Sequence, residues 1–285
     1  MKLQNTLVSR STLVLAGALV SASAMAGLTG EFVFIGVDDA GISSYLVDPN
    51  NMSNMTPVNL GVQVWGAAGD DASQTLYISE GSTLSRWSYS GFGEIGSGTL
   101  ITGATSGATL VMEGLGFMNG VLYGSRVGNT VADPEGIYSI DPVTAQATLV
   151  HAYPATANQT NSGFDVGNGL FYATNDAATN RGLVSYDPNN AYALTLEAAY
   201  PAGETDIDGL AIGGGAAWLL EDDASATGML YRWDFAAQSY TSVATPWPTS
   251  EVFSGAAYIN IVPEPGTFVA LGIGLAGLLA MRRRK

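Results

Sequence analysis

Ile137-Tyr138-Ser139-Ile140-Asp141-Pro142 has four counterparts along the chain: Ser44-Tyr45-Leu46-Val47-Asp48-Pro49, Leu84-Ser85-Arg86-Trp87, Leu183-Val184-Ser185-Tyr186-Asp187-Pro188 and Leu230-Tyr231-Arg232-Trp233-Asp234. Each reads as a short strand, bounded as strands are by turn residues. Four of the five run into Asp, and in three of those Pro follows. Asp-Pro predicts a tight turn, because the Asp side chain accepts from backbone just downstream and Pro fixes φ at the corner.

Working outward, a strand ending near an aromatic residue precedes each phrase. The aligned aromatics are Phe34, Tyr77, Tyr123, Tyr172 and Trp218, spaced 43, 46, 49 and 46 residues apart. A further strand follows each phrase, at 57–60, 99–102, 147–151, 194–198 and 240–243. Another lies upstream of the aromatic in four of the units, at 62–67, 114–118, 163–166 and 209–212. The first unit lacks this strand, and a matching stretch, 253–259, stands at the far end of the repeats. Units of 40–50 residues built from four strands predict a β-propeller. The pattern therefore predicts an all-β fold of five blades, with the last strand pairing beside the first unit to close the ring. A sandwich or solenoid of the same strands is the competing arrangement.

Composition limits the function. The 285 residues carry 25 acids against 10 Lys and Arg, with one His and no Cys. Six of the cations lie at the two ends, so residues 27–262 hold four arginines and 24 acids, a formal balance of −20. Such a segment cannot neutralise phosphates, which excludes nucleic acid as a partner. The single His removes any His-based zinc site, and no Gly-x-Ser-x-Gly elbow precedes a helix.

The two ends read as addresses. Lys2 and Arg10 form a basic region, 13–20 is apolar, and Ala24 and Ala26 place small residues before Gly27. That order predicts a secretory signal over residues 1–26, cut by signal peptidase. At the other end Pro263-Glu264-Pro265 precedes the apolar run 267–281, and Arg282, Arg283, Arg284 and Lys285 close the chain. Fifteen residues make a helix of about 22 Å, short for a bilayer core of about 30 Å but extended by snorkelling arginines. The basic cluster is expected to stay cytoplasmic, leaving 27–262 outside.

This tail closely resembles the PEP-CTERM sorting signal of Gram-negative bacteria over residues 263–285. The resemblance implies that Pro263, Glu264 and Pro265 form a processing motif read by exosortase, a membrane enzyme. It also implies a protein anchored transiently by its C-terminal transmembrane helix, then found at the cell surface or outside the cell, in a setting of exopolysaccharide and biofilm. A simple tail anchor is the alternative. Three segments are expected: signal peptide (1–26), propeller (27–262) and sorting segment (263–285).

Carboxylates are the chain's main chemical resource. Asp206 with Asp208, and Asp222 with Asp223, are local clusters of hard oxygen donors of the kind calcium uses, although neither has an EF-hand pattern. Solvated loop charge explains such clusters equally well. Asp206 and Asp208 stand just before an upstream strand of a blade, and such strands line a propeller's channel. Trp218 and Trp233 fall at repeat positions and are expected in the core, while Trp247, between two prolines, is a candidate exposed platform. The expectation is a non-enzymatic exported protein with no catalytic residues, which touches extracellular polysaccharide if it touches a polymer at all. The alternatives are a carbohydrate-active enzyme (glycoside hydrolase or lyase) and a calcium-dependent lectin, in which Ca2+ would be the cofactor.

Overall fold

In the computed structural model residues 28–263 are described, apart from 39–40, 42, 127, 129, 154–162, 222–227 and 246–251. Blade 1 begins with β1 (Gly30–Gly36), β2 (Ser44–Asp48) and β3 (Asn51–Val58). Blade 2 holds β4 (Gly66–Asp70), β5 (Thr75–Ser79), β6 (Thr83–Ser88) and β7 (Thr99–Leu100). Blade 3 takes β8 (Thr102–Gly103), β9 (Gly114–Met118), β10 (Val121–Arg126), β11 (Gly136–Ile140) and β12 (Gln146–Ala152). Blade 4 is β13 (Phe164–Gly167), β14 (Leu170–Asn175), β15 (Gly182–Asp187) and β16 (Ala193–Ala199). Blade 5 is β17 (Ile207–Gly213), β18 (Ala216–Glu221), β19 (Met229–Asp234) and β20 (Ser239–Ala244). The last strand, β21 (Gly255–Ile261), returns to blade 1, whose order is β21-β1-β2-β3.

The chain is therefore an all-β, five-bladed propeller. Closure is antiparallel over the whole of β1: Phe34 faces Ala257 and Val33 faces Tyr258. The inner strands β21, β4, β9, β13 and β17 stand side by side around the axis. The signal and membrane helices expected at the two ends lie outside the described residues.

Five blades meet at five interfaces, and the apolar core divides in the same way. Phe34 packs in the cluster between blades 1 and 2, Tyr77 between 2 and 3, Tyr123 against that between 3 and 4, Tyr172 between 4 and 5 and Trp218 between 5 and 1. The aligned aromatics thus fill the seam between their own blade and the next. Each blade alone would leave such a face in water, which is the force that stacks repeats.

Several strand limits differ from expectation: β3 spans Asn51–Val58 where 57–60 was expected, and β21 spans Gly255–Ile261 where 253–259 was expected. Residues 62–65 are a connection, and β4 starts only at Gly66, where the chain comes close to its neighbour: a Cβ on Gly66 would sit 2.9 Å from the Cα of Gly114. The stretch 99–102 is broken at Ile101, whose side chain is wholly buried. Beyond it β8 leaves blade 2 and runs parallel to β12 as a fifth strand of blade 3. A run of alternating residues cannot reveal such a change of partner.

The two ends of the ring have different characters. At one, which we term the turn end, the inner strands of blades 3, 4 and 5 pass to their neighbours through two-residue hairpins. Asn119-Gly120 and Asn168-Gly169 have φ of 54° and 80°, and of 53° and 80°. Two successive positive φ values are what a two-residue hairpin needs to match strand twist. The Asp turns lie at this end too. Asp141 Oδ1 accepts from Val143 and Thr144 N–H at 2.8 Å each, Asp187 from Asn189 at 2.8 Å, and Asp234 from Ala236 and Ala237 at 3.0 and 2.8 Å. The opposite, loop end carries the longer connections, including those leading into β4, β9, β13, β17 and β21.

Gly66→Ala should lower stability by about 1–3 kcal/mol, because the new methyl meets backbone that cannot yield. Gly93→Ala, with nothing within 4 Å of the added carbon, should change it by less than about 0.5 kcal/mol. Urea unfolding midpoints read the difference, and equal midpoints would contradict a tightly closed inner ring.

Candidate metal centre at the loop end

Asp176 is the first residue past β14, Asp206 immediately precedes β17, and Asp208 lies within it. The expectation placed Asp208 before its strand, but β17 begins earlier, at Ile207. In the β17–β18 ladder Ile207 faces Glu221 and Gly209 faces Leu220, so Asp208 is the extra residue of a bulge. A bulge re-aims one side chain out of the ladder's alternation. Single carboxylate oxygens of Asp176, Asp206 and Asp208 come within 4.8 Å of one another. Asp206 is exposed and the other two are half-buried. The site therefore straddles blades 4 and 5.

The surroundings hold Asp176 firmly. The Tyr200 hydroxyl donates to its Oδ1 at 2.8 Å, the Ile207 N–H reaches the same oxygen at 3.4 Å, and Arg181 Nε donates to its main-chain carbonyl at 2.9 Å. Burial pushes the Asp176 carboxyl up to about 7; the Tyr200 bond opposes this and the charges of Asp206 and Asp208 add to it. Glu113, just before β9, is also raised, first by burial and then by Asp208 and Glu135. Three convergent hard-oxygen donors fit a divalent cation of the calcium kind, which completes its shell with carbonyls and water. A bound cation would offset the burial, and then the mutual repulsion, that together raise the Asp176 pKa.

The structure brings together Asp206 and Asp208, as expected of neighbours in sequence, and adds Asp176. Reading the sequence missed Asp176 because it stands alone. The repeat alignment held a signal for it: the residue three or four past each aligned aromatic is acidic in four units (Asp38, Glu80, Asp176 and Glu221) and Arg126 in the other. Asp222 and Asp223 lie outside the described residues, as do Trp247, the cleavage residues Ala24, Ala26 and Gly27, and Arg282, Arg283, Arg284 and Lys285. Of the processing motif, Pro263 is described, two residues past the end of β21, while Glu264 and Pro265 are not. Trp218 and Trp233 are buried in the core. His151, on β12, stacks on Tyr192 at 4.3 Å, with burial lowering its pKa.

A second acid is wholly enclosed. Asp165, in the middle of β13, accepts from its own neighbour Val166 N–H at 2.7 Å through Oδ1. Its Oδ2 accepts from Ile212 N–H, on β17, at 2.6 Å. Inner strands pair on one side only, so the free edges need acceptors, and Asp165 supplies two. Burial nonetheless raises its pKa well above the ordinary carboxylate value, against the effect of both bonds.

A closed ring of five blades makes the chain a five-bladed β-propeller, and its C-terminus makes the assignment narrower. Residues 262–285 match the profile of the PEP-CTERM protein-sorting motif, and the chain carries that motif. The motif implies export, a membrane-anchored C-terminal sorting step and processing by exosortase. No curated protein matches the chain. Among solved structures, a chain of the nidogen/laminin complex is similar over 80% of this chain and 98% of that one, at 11% identity and a TM-score of 0.52. A protein of unknown function from Bacteroides caccae is similar over 75% of this chain and 73% of that one, at 10% identity and a TM-score of 0.41. At such identities the first likeness speaks to the fold alone.

Asp165 sets a pH dependence. Its folded pKa lies above its unfolded value of about 3.9, so the folded state holds the proton more tightly. Its contribution to stability is complete below that value and is lost as pH rises towards the folded pKa, by up to about 1.4 kcal/mol per pH unit. Asp165→Asn cannot ionise and should flatten the fall of Tm with pH above 4, as read by thermal melts in a buffer series. An unchanged slope would assign the dependence elsewhere.

Proposed function

We propose that this chain is a non-enzymatic display protein of the cell surface or extracellular matrix, associated with exopolysaccharide and biofilm, and that its propeller is a rigid ring for presenting loops. One observation carries the reading: the Pro-Glu-Pro motif begins two residues after the strand that closes the ring. A cut in the motif would free the propeller without removing any strand from it. The concentration of acid at the loop end also bears on partners. A segment with a formal balance of −20 repels anionic polysaccharide directly, so contact with such a polymer runs through a divalent bridge or through neutral sugars.

The test is processing in the producing cell. Pro263→Ala, Glu264→Ala and Pro265→Ala together should leave the tail uncut, adding the mass of the sorting segment to the intact protein. Identical masses for variant and parent would sink the sorted-display reading.

The convergence of Asp176, Asp206 and Asp208 supports a second reading, a calcium-dependent lectin or a carbohydrate-active enzyme. If the triad binds calcium, the ion at 100 times its Kd should stabilise the fold by about 2.7 kcal/mol, raising Tm by about 5–10 °C for a domain of this size. Asp208→Asn should abolish most of that rise. A parent protein whose Tm ignores both calcium and chelator would leave the triad as solvated charge, and a glycan array separates lectin from inert scaffold.

A further inference from the structure

The strand that closes the ring is also the strand from which the sorting segment hangs. Because β21 is the innermost strand of blade 1, the tail leaves the propeller at its axis and not at its rim. Because Ile261 pairs with Gly30, at the start of β1, it leaves at the turn end. There the β4–β5 turn of blade 2 grips it. Asp71 Oδ1 accepts from Asn260 N–H at 2.9 Å. The Gln74 amide donates to the Asn260 carbonyl at 2.9 Å and accepts from Val262 N–H at 2.8 Å. One side-chain amide thus takes the place of a neighbouring strand. Gln74 is held at φ 53°, and the Tyr89 hydroxyl donates to Asp71 at 3.0 Å. The chain is fixed as far as Val262.

The free tether is short. From Val262 to Thr267, where the apolar run begins, five residue steps span at most about 17 Å. A blade measures about 14 Å from inner to outer strand, three spacings of about 4.8 Å, and its strands stand about 20 Å tall. Laying the rim on a membrane requires the tether to cross the whole turn end and then descend half a blade's height, roughly 24 Å in all. Setting the loop end down requires it to travel the full height as well. The turn end alone is within reach. The converging carboxylates of Asp176, Asp206 and Asp208 lie at the other end.

We propose that, while the tail is anchored, the propeller stands end-on upon the lipid surface, turn end down, with Asp71 and Gln74 as the clamp that holds it upright and the acidic loop end facing away. This rests on the sorting reading of the tail. The seat places the candidate metal centre a blade's height from the bilayer, open to partners in solution while the chain is still tethered.

The absence of cysteine makes the test direct. Val143→Cys, in the β11–β12 turn, and Val131→Cys, in the β10–β11 connection, put single thiols at opposite ends of blade 3, at positions that are both largely exposed. Each full-length variant carries a fluorophore and is reconstituted into phosphatidylcholine vesicles containing a nitroxide-headgroup lipid. The label at 143 should be quenched severalfold more than that at 131. Gln74→Asn, which tolerates positive φ but is one methylene too short for the clamp, should bring the two values together without loss of vesicle co-flotation. Equal quenching in the parent background, or stronger quenching at 131, with co-flotation intact would overturn the end-on seat and leave the anchor standing. An unchanged difference in Gln74→Asn would remove the clamp from the proposal. Failure to co-float would remove the anchor and the seat together.

Discussion

The propeller depends on the antiparallel contact between β21 and β1, because that one strand serves two interfaces. Ala257, Ile259 and Ile261 point into the core between blades 1 and 2. Phe253, just before the strand, and Ala256 and Tyr258 within it, belong to the core between blades 5 and 1. Without β21, both seams would open and the inner edge of β1 would face water. Bringing together the ends of a chain this long costs about 5 kcal/mol of loop entropy, since that cost grows only with the logarithm of length. Burying Phe253, Ile259 and Ile261 returns about 1.5–3 kcal/mol each before any ladder bond is counted. Closure is therefore favourable, and a ring has no exposed inner joint left to aggregate.

A tight inner ring also explains why the ends of the molecule diverge. At the turn end the geometry is largely spent: two-residue hairpins have one good backbone solution, and Asp141, Asp187 and Asp234 each accept from N–H groups of their own turns. Little remains that a substitution could convert into a binding site without loosening a blade. The loop end is under no such constraint. Its connections reach from the outer strand of one blade to the inner strand of the next, and a rigid scaffold with tolerant loops is where proteins place recognition. The bulge at Asp208 fits this division, spending one residue of regular pairing to aim a carboxylate at its neighbours.

What could be read from the sequence follows the same physics. The aromatic spacing and the Asp turns are properties of one blade, repeated five times, so a linear text displays them. The return of 253–259 to the first blade was legible because the first unit visibly lacked a strand. Contacts between blades were not. Asp176 and Asp208 meet because the connection after β14 abuts the entry to β17, and the stagger between blades that allows this leaves no periodic trace. Asp165 looks like a flaw in a buried strand until Ile212 supplies the N–H that requires it. The departure of β8 into blade 3 is hidden for the same reason, since Ile101 alternates correctly with its neighbours whichever blade they join.

Sorting places a further demand on such a fold. A C-terminal segment destined for removal is hazardous to a protein closed by its own C-terminal strand, because a cut slightly too early would undo the ring. Here the ladder ends at Ile261, the last clamped amide is that of Val262, and the processing motif begins at the next residue. Proline at that position has no N–H to offer a ladder, so β21 pairing cannot creep into the motif and the motif cannot be drawn into the sheet. The boundary between what must stay folded and what must remain open is thus set by the chemistry of one residue. The clamp on the residue before it keeps the closing strand seated whether or not the tail remains attached.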